Sequence, residues 1–271
     1  MNNINLITGF WNVRYDRSEA EYLSNFKNVL SIPHNMTIFI PKKYEDMVIE
    51  QRKNLLEKTD IKIVELEEIK DNYFSKYWDD VEKIRTNPDW ITSTSWLKSV
   101  PQGFSEWYNP IVMSKVFFIN YAYKNNKFNS DVYIWIDAGI TKHIPVEFLC
   151  YESVDNMAKK IQNVLFTAFE YKNQTEVHGF DYSGFFKYTE TIPEWVCRAT
   201  IFGCHKNHVD KFVNDYEYHL HDTLTRGYLG TEESIFTLLS VVNPELYKIY
   251  NMGTDSMPIK FLHDMKYNSI I

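Results

Sequence analysis

At 271 residues the chain is long enough for one large α/β domain with a sizeable core. Its formal net charge of −7 argues against general nucleic-acid binding while leaving local basic patches open, and it has no run of about 18 uninterrupted apolar residues to span a membrane. The start, Met1-Asn2-Asn3-Ile4-Asn5, lacks the basic and apolar regions of a secretory signal, so a cytoplasmic location is expected. Three cysteines, Cys150, Cys197 and Cys204, form no even framework and no C-x-x-C pair, which argues against disulfides and structural zinc.

In chain order, Ile4 to Phe10 reads as a strand running into a turn. Ser18-Glu19-Ala20-Glu21 has capping-box spacing, and Leu23, Phe26 and Leu30 then share one helical face. Thr37 to Ile40 is a second strand closed by Pro41, residues 42–58 read as helix, and Ile61 to Leu66 is a third strand. Strands alternating with helices predict an α/β fold with a mostly parallel, Rossmann-like central sheet flanked by helices. From about 67 to 107 this pattern is lost among Asn, Pro, Ser, Thr and aromatic residues, and the stretch reads as an irregular insertion. Asn109-Pro110 opens a helix with a good cap and a proline in its first turn, continued by Val112, Val116, Ile119 and Tyr123. A strand over 163–169, a Gly- and Tyr-rich loop over 179–186 and a short strand over 198–203 follow. Helices over about 205–225 and 232–242 lead to a Pro-containing tail.

The most telling stretch is Tyr133-Ile134-Trp135-Ile136-Asp137-Ala138-Gly139. Val132 to Ile136 shows no polar alternation and is rich in β-branched and aromatic residues, as a strand covered on both faces requires. Open parallel sheets bind ligands beyond the carboxyl ends of their strands, so Asp137 emerges where a substrate belongs, and Ala138-Gly139 permits close approach to the backbone. An acid there can hold a metal and a phosphate; it can equally cap the following turn.

Tyr108 to Lys115, Phe128 to Gly139 and Gly227-Tyr228-Leu229-Gly230-Thr231-Glu232-Glu233 together resemble the HtrL/YibB family of bacterial and viral proteins, from near Ile4 to about Tyr250. That family looks like nucleotide-sugar-dependent glycosyltransferases of the GT-A type. The resemblance implies a single GT-A-like domain over 1–271, with an acceptor-side helical part at about 205–271. It also implies a nucleotide-sugar donor, with UDP-sugars favoured, a glycan or protein hydroxyl as acceptor, and assistance by Mn²⁺ or Mg²⁺. It aligns Asp137 with the first acid of an Asp-x-Asp motif, whereas Gly139 stands where the second acid belongs, so one expected metal ligand is missing. Mg²⁺ commonly binds through one or two carboxylates with substrate phosphates, and Mn²⁺ also accepts imidazole. A C-terminal histidine completes the metal site in some GT-A families, and His263 is the candidate here. Donor contacts are expected from Thr8, Gly9, Trp135, Asp137, Ala138 and Gly139.

Sugar transfer must neutralise a departing diphosphate and place a hydroxyl against an anomeric carbon with oxocarbenium character. Arg14, Arg17 and Lys115 are candidate cations for the diphosphate; Arg14 and Arg17 follow the first strand, and each of the three could instead be a solvated surface residue. Glu232 and Glu233 follow Thr231 at a helix start. Helix capping and the helix dipole explain acids there without catalysis, while one of them acting as base would take the acceptor proton. Asp181, Ser183 and Gly184 are candidates to line the donor-sugar or acceptor side. His205, His208, His219 and His221 contain no H-E-x-x-H motif, and His219 and His221 fall on different helix faces, against a zinc site. Two other functions fit the same residues: a carbohydrate- or partner-binding module that lost catalysis with the second acid, and a nucleotide-sugar hydrolase.

Overall fold

The computed structural model describes residues 3–13, 18–93, 95–172 and 176–267. Its strands are β1 (Ile4–Gly9), β2 (Asn35–Ile40), β3 (Thr59–Ile63), β4 (Val132–Ile136), β5 (Val164–Glu170), β6 (Glu176–Val177), β7 (Phe180–Asp181), β8 (Trp195–His205) and β9 (Tyr247–Asn251). Seven of them form one sheet in the order β3-β2-β1-β4-β8-β5-β9, and β6 pairs with β7. The β1–β2, β2–β3, β1–β4 and β5–β9 pairs are parallel. Only β8 runs the other way, antiparallel to β4 and β5 on either side of it.

Alternate residues of the central strands feed two apolar layers. Ile7, Tyr133 and Trp135 join one with Phe118, Phe166, Phe212 and Phe236; Leu6, Val132, Ile134 and Ile136 join the other with Phe26, Val29 and Ile38. All five residues of β4 are buried, which is the physical reason its sequence lacks alternation. Ser18 caps the first helix, Glu19–Leu30, by accepting from the Glu21 N–H, as its spacing predicts.

Several elements depart from the expectation. The continuous helix expected over 42–58 is broken into a 3₁₀ turn (Lys42–Tyr44), a helix (Glu45–Gln51) and a second 3₁₀ stretch (Lys53–Lys58). Arg52 explains the break: its guanidinium turns fully inward and donates to the carbonyls of Leu30, Ile32 and His34 and to Thr59 Oγ1. The helix expected from Asn109 is two helices, Tyr108–Met113 and Lys115–Asn125, separated at Ser114, whose hydroxyl donates to the Pro110 carbonyl. The expected loop over 179–186 is mostly helix, Tyr182–Thr189, because Asp181 accepts from the Ser183 N–H as N-cap. β9, an edge strand with an exposed face, was not expected.

The segment over 67–107 is a set of short helices, among them Trp78–Arg85 and Pro101–Phe104. It is tied to distant loops: Trp90 Nε1 donates to the carbonyls of Gly179 and Leu229, and Gln102 Nε2 to that of His178. Among the described residues no helix is long and apolar enough to cross a membrane.

Candidate active site

Register places the site. Ile7 of β1 pairs with Trp135 of β4, and Ile136 of β4 pairs with Ile201 of β8, so Gly9, Asp137 and the middle of β8 meet at the carboxyl ends of β1 and β4, in the centre of the sheet. The pairing of β8 with β5 slips there: Phe166 faces Phe202, but the next residue, Thr167, faces Arg198. Ala199, Thr200 and Ile201 therefore have no register partner on β5, where the Ile201 carbonyl accepts instead from the Thr167 hydroxyl, and bulges redirect backbone groups next to functional sites. The Ala199 groups freed in this way are taken up by site residues, whereas Thr200 faces β4 and continues the β4–β8 ladder. Ala199 N–H donates to Glu233 Oε1 at 2.9 Å, the Ala199 carbonyl accepts from Lys115 Nζ at 3.1 Å, and the Thr200 carbonyl accepts from the Asp137 N–H at 2.9 Å.

Lys115 and Glu232 are the buried centre of the constellation. The Lys115 ammonium lies 2.7 Å from Asp137 Oδ1 and 2.8 Å from Glu232 Oε1, with 7% of its side chain exposed. With the Ala199 carbonyl, its three N–H groups have three acceptors. Trp135, the buried ring two residues before Asp137, donates its indole N–H to Asp137 Oδ1 at 2.6 Å. Burial alone would push the Lys115 ammonium below its ordinary range; the facing carboxylates of Asp137 and Glu232 reverse this and hold it above that range. Glu232 responds oppositely: burial, opposed in part by Lys115, pushes its carboxyl up to about 7.

Glu233 faces a different set of partners. Arg198 Nη1 lies 2.9 Å and His178 Nε2 3.0 Å from its Oε2. Burial raises its carboxyl, but Arg198, His178 and the Ala199 N–H outweigh burial and hold it below the ordinary glutamate range. His178 sits in the left-handed region at φ 50° with 17% of its side chain exposed, and desolvation lowers its imidazole below the usual value. Both glutamates open the helix Glu232–Val242. Thr231 Oγ1 accepts from the Glu233 N–H, and Ser234 Oγ accepts from the Thr231 N–H, a capping box that fixes the helix start against the bulge.

These groups line a cleft of about 330 Å³, within the about 300–1,000 Å³ common for small-ligand sites. Of the candidates, Gly9, Lys115, Trp135, Asp137, Ala138, Gly139, Glu232 and Glu233 line it. Arg14 and Arg17 lie outside the described residues. The remaining candidates are placed elsewhere. Thr8 is fully buried beside Gly9 and does not line the cleft. Asp181 caps a helix, Ser183 supplies the capped N–H, and Gly184 makes room for the Tyr228 ring, which a Cβ there would meet at 2.5 Å. His263 packs edge-on to Phe148 in the helix Ile259–Tyr267, beside Asp264, and is not among the lining residues.

The cleft also holds residues that sequence reasoning did not single out: Arg198, His178, and a wall of Trp96, Val100, Pro101 and Gln102 from the 67–107 segment. Arg198 carried a signal, being a lone charge inside the apolar run Val196 to Ile201, where an unpaired charge would be too unfavourable to bury. His178 carried none.

The donor set does not assemble a metal centre. Gly139 replaces the second acid, Asp137 Oδ1 already takes two donors, and His263 is elsewhere. Among the described residues no group of three or more His, Cys, Asp or Glu side chains could hold a metal ion.

The topology, with its parallel half, reversed β8 and an acid at the end of β4, is a GT-A-like fold. Core-mannan synthase A (CmsA/Ktr4) from Aspergillus fumigatus, solved in a Mn/GDP form, shares it at a TM-score of 0.51 and 10% identity, over 93% of this chain and 73% of that one. Mouse xyloside xylosyltransferase 1 in its apo form aligns at a TM-score of 0.48 and 10% identity, over 92% and 84% of the two chains. The family profile described as "Bacterial protein of unknown function (HtrL_YibB)" matches residues 3–251, and the chain belongs to the HtrL/YibB family. No curated protein matches the chain.

Proposed function

We propose that the protein is a glycosyltransferase that moves a sugar from a nucleotide-diphosphate sugar to a hydroxyl of a glycan or polypeptide. One observation carries the reading: at the carboxyl end of the central strand, the partly exposed Asp137 and the buried Lys115 and Glu232 form one hydrogen-bonded cluster that lines a cleft of small-ligand size. UDP-sugars are the donors this reading puts first.

In the reaction, the acceptor oxygen bonds to the anomeric carbon, the bond from that carbon to the diphosphate oxygen breaks, and the nucleoside diphosphate leaves with the electron pair. Glu232 takes the acceptor proton. It suits this role because its carboxyl is balanced near 7 and borders the cleft, where a base is most effective near the working pH. Glu233, gripped by Arg198 and the Ala199 N–H, stays ionised and fixes the helix start, so it is a positioning residue. Asp137 and Trp135 lie at the strand end where an open α/β sheet receives its ligand. No step is routed through Mn²⁺ or Mg²⁺, because the side chains present do not assemble a centre for either.

Thermal-shift titration of the purified chain with a panel of nucleotide-diphosphate sugars, repeated on Asp137→Asn, tests the reading. Stabilisation by one donor class that the variant loses supports it. If no donor shifts the wild type while a control transferase responds in the same plate, a binding module without nucleotide chemistry replaces it.

A further inference from the structure

Resting on that reading of the cleft, we infer that the Lys115 ammonium stands in the cation position of the site, so that sugar transfer by this chain needs no divalent metal. The argument begins with what a resident metal would coordinate. Of the Asp-x-Asp pattern only Asp137 is present, and its Oδ1 already accepts from Lys115 Nζ at 2.7 Å and Trp135 Nε1 at 2.6 Å. The second carboxylate close to Asp137 is not two residues along the strand; it is Glu232, from the opposite wall. Lys115 lies between the two, 2.8 Å from Glu232 Oε1. The space between these carboxylates, where a divalent ion could bridge them, therefore already holds a positive charge.

That charge is built in. The Lys115 side chain is 7% exposed, and its third N–H is fixed by the Ala199 carbonyl, which is available only because β8 bulges away from β5 at that residue. A metal displacing the ammonium would have to move a buried charge away from all three acceptors. A metal binding beside it would meet a like charge across a single carboxylate. The ammonium also suits the task of a metal in diphosphate departure. When Glu232 takes the acceptor proton it loses its negative charge, so the net charge of the Lys115–Asp137–Glu232 cluster rises by one as the leaving diphosphate gains negative charge. Proton uptake and leaving-group stabilisation are thus coupled through Lys115 without an added ion.

The test is a titration of Mn²⁺ followed by electron paramagnetic resonance, in which bound Mn²⁺ loses the signal of the free ion. It is run on the wild type with and without UDP, the UDP series read against UDP alone because the nucleotide itself complexes Mn²⁺, and on Lys115→Ala without UDP. The wild type is expected to bind no Mn²⁺ in either state, and wild-type donor turnover is expected to survive chelation by EDTA. Lys115→Ala removes the ammonium and leaves Asp137 and Glu232 facing an open position, so this variant is expected to gain a Mn²⁺ site. Lys115→Met, which keeps the side-chain volume, serves if the alanine variant does not fold. A wild type that binds one Mn²⁺ per chain with UDP, and loses it in Asp137→Asn, overturns the inference; so does a folded Lys115 variant that gains no Mn²⁺ site. Neither result requires sugar transfer, so the inference and the transferase reading fail separately: absence of donor binding and turnover counts against the reading, and the Mn²⁺ titrations decide the role of Lys115.

Discussion

Replacing Glu232 by glutamine separates the stability of the fold from the chemistry assigned to the site. Glu232 is 3% exposed, and its carboxyl is raised from an ordinary value of 4.5 to about 7. A carboxyl whose folded-state pKa lies above its unfolded value binds its proton more tightly in the folded protein. Unfolding free energy therefore falls as pH rises from about 4.5 to about 7 and stays reduced above that, by up to about 3 kcal/mol for this difference. Glutamine carries no charge to ionise, and its amide oxygen can still accept from Lys115, which keeps Asp137 as its ionic partner. The glutamine variant should thus gain stability relative to the wild type on going from pH 5 to pH 8, by about 2–3 kcal/mol. Urea denaturation of both proteins at the two pH values measures this as a double difference, in which titrations common to both chains cancel. Sugar transfer by the variant should fall by about 10²-fold or more, the size of a general-base contribution. A stability difference that is flat with pH would refute the argument that Glu232 is the strained, protonatable member of the pair.

Other outcomes follow from the same geometry. Transfer by the wild type should rise with pH through about 7, because Glu232 must be ionised to take the acceptor proton; a profile flat from pH 5.5 to 8.5 in steady-state donor consumption would remove Glu232 from that role. Arg198→Ala leaves the part-buried Glu233 carboxylate without its guanidinium and should destabilise the fold by about 1–3 kcal/mol in urea, with part of the loss recovered by adding Glu233→Gln. In the folded protein a thiol reagent should modify Cys150 well before the other two cysteines. Cys197 is buried and its thiol pushed up to about 12 by desolvation, and Cys204 is buried and raised for the same reason; equal labelling rates would contradict that burial.

Much of the scaffold was legible because its signals are local. β4 was readable from five residues with no polar alternation, and the helix Glu232–Val242 from Thr231, whose capping role is as its position suggests. The junction of Asp137 with Lys115 was only partly legible. Each residue stood out as a candidate, but nothing in the sequence says that the helix breaks at Ser114 and starts again at Lys115 beneath the strand end. The bulge at Ala199 to Ile201 was not legible, since it is a property of how β5 and β8, more than 30 residues apart at that point, choose their register. Arg52 shows the same limit: a guanidinium bonded to three distant carbonyls breaks a stretch whose local pattern reads as one helix. Asp181 shows the converse, a capping signal present in the sequence and passed over, so that a helix was read as a loop.

The most direct test of the transferase account is to incubate the wild type, Asp137→Asn and Glu232→Gln with each nucleotide-diphosphate sugar of a panel and a pool of glycan and peptide acceptors, and to follow nucleoside diphosphate release and acceptor mass together. The account predicts that the wild type consumes one donor class and adds its sugar to a hydroxyl acceptor, and that both variants lose this reaction while remaining folded. Equal sugar transfer by all three proteins, or intact donors with the wild type alongside a working control enzyme, would contradict it.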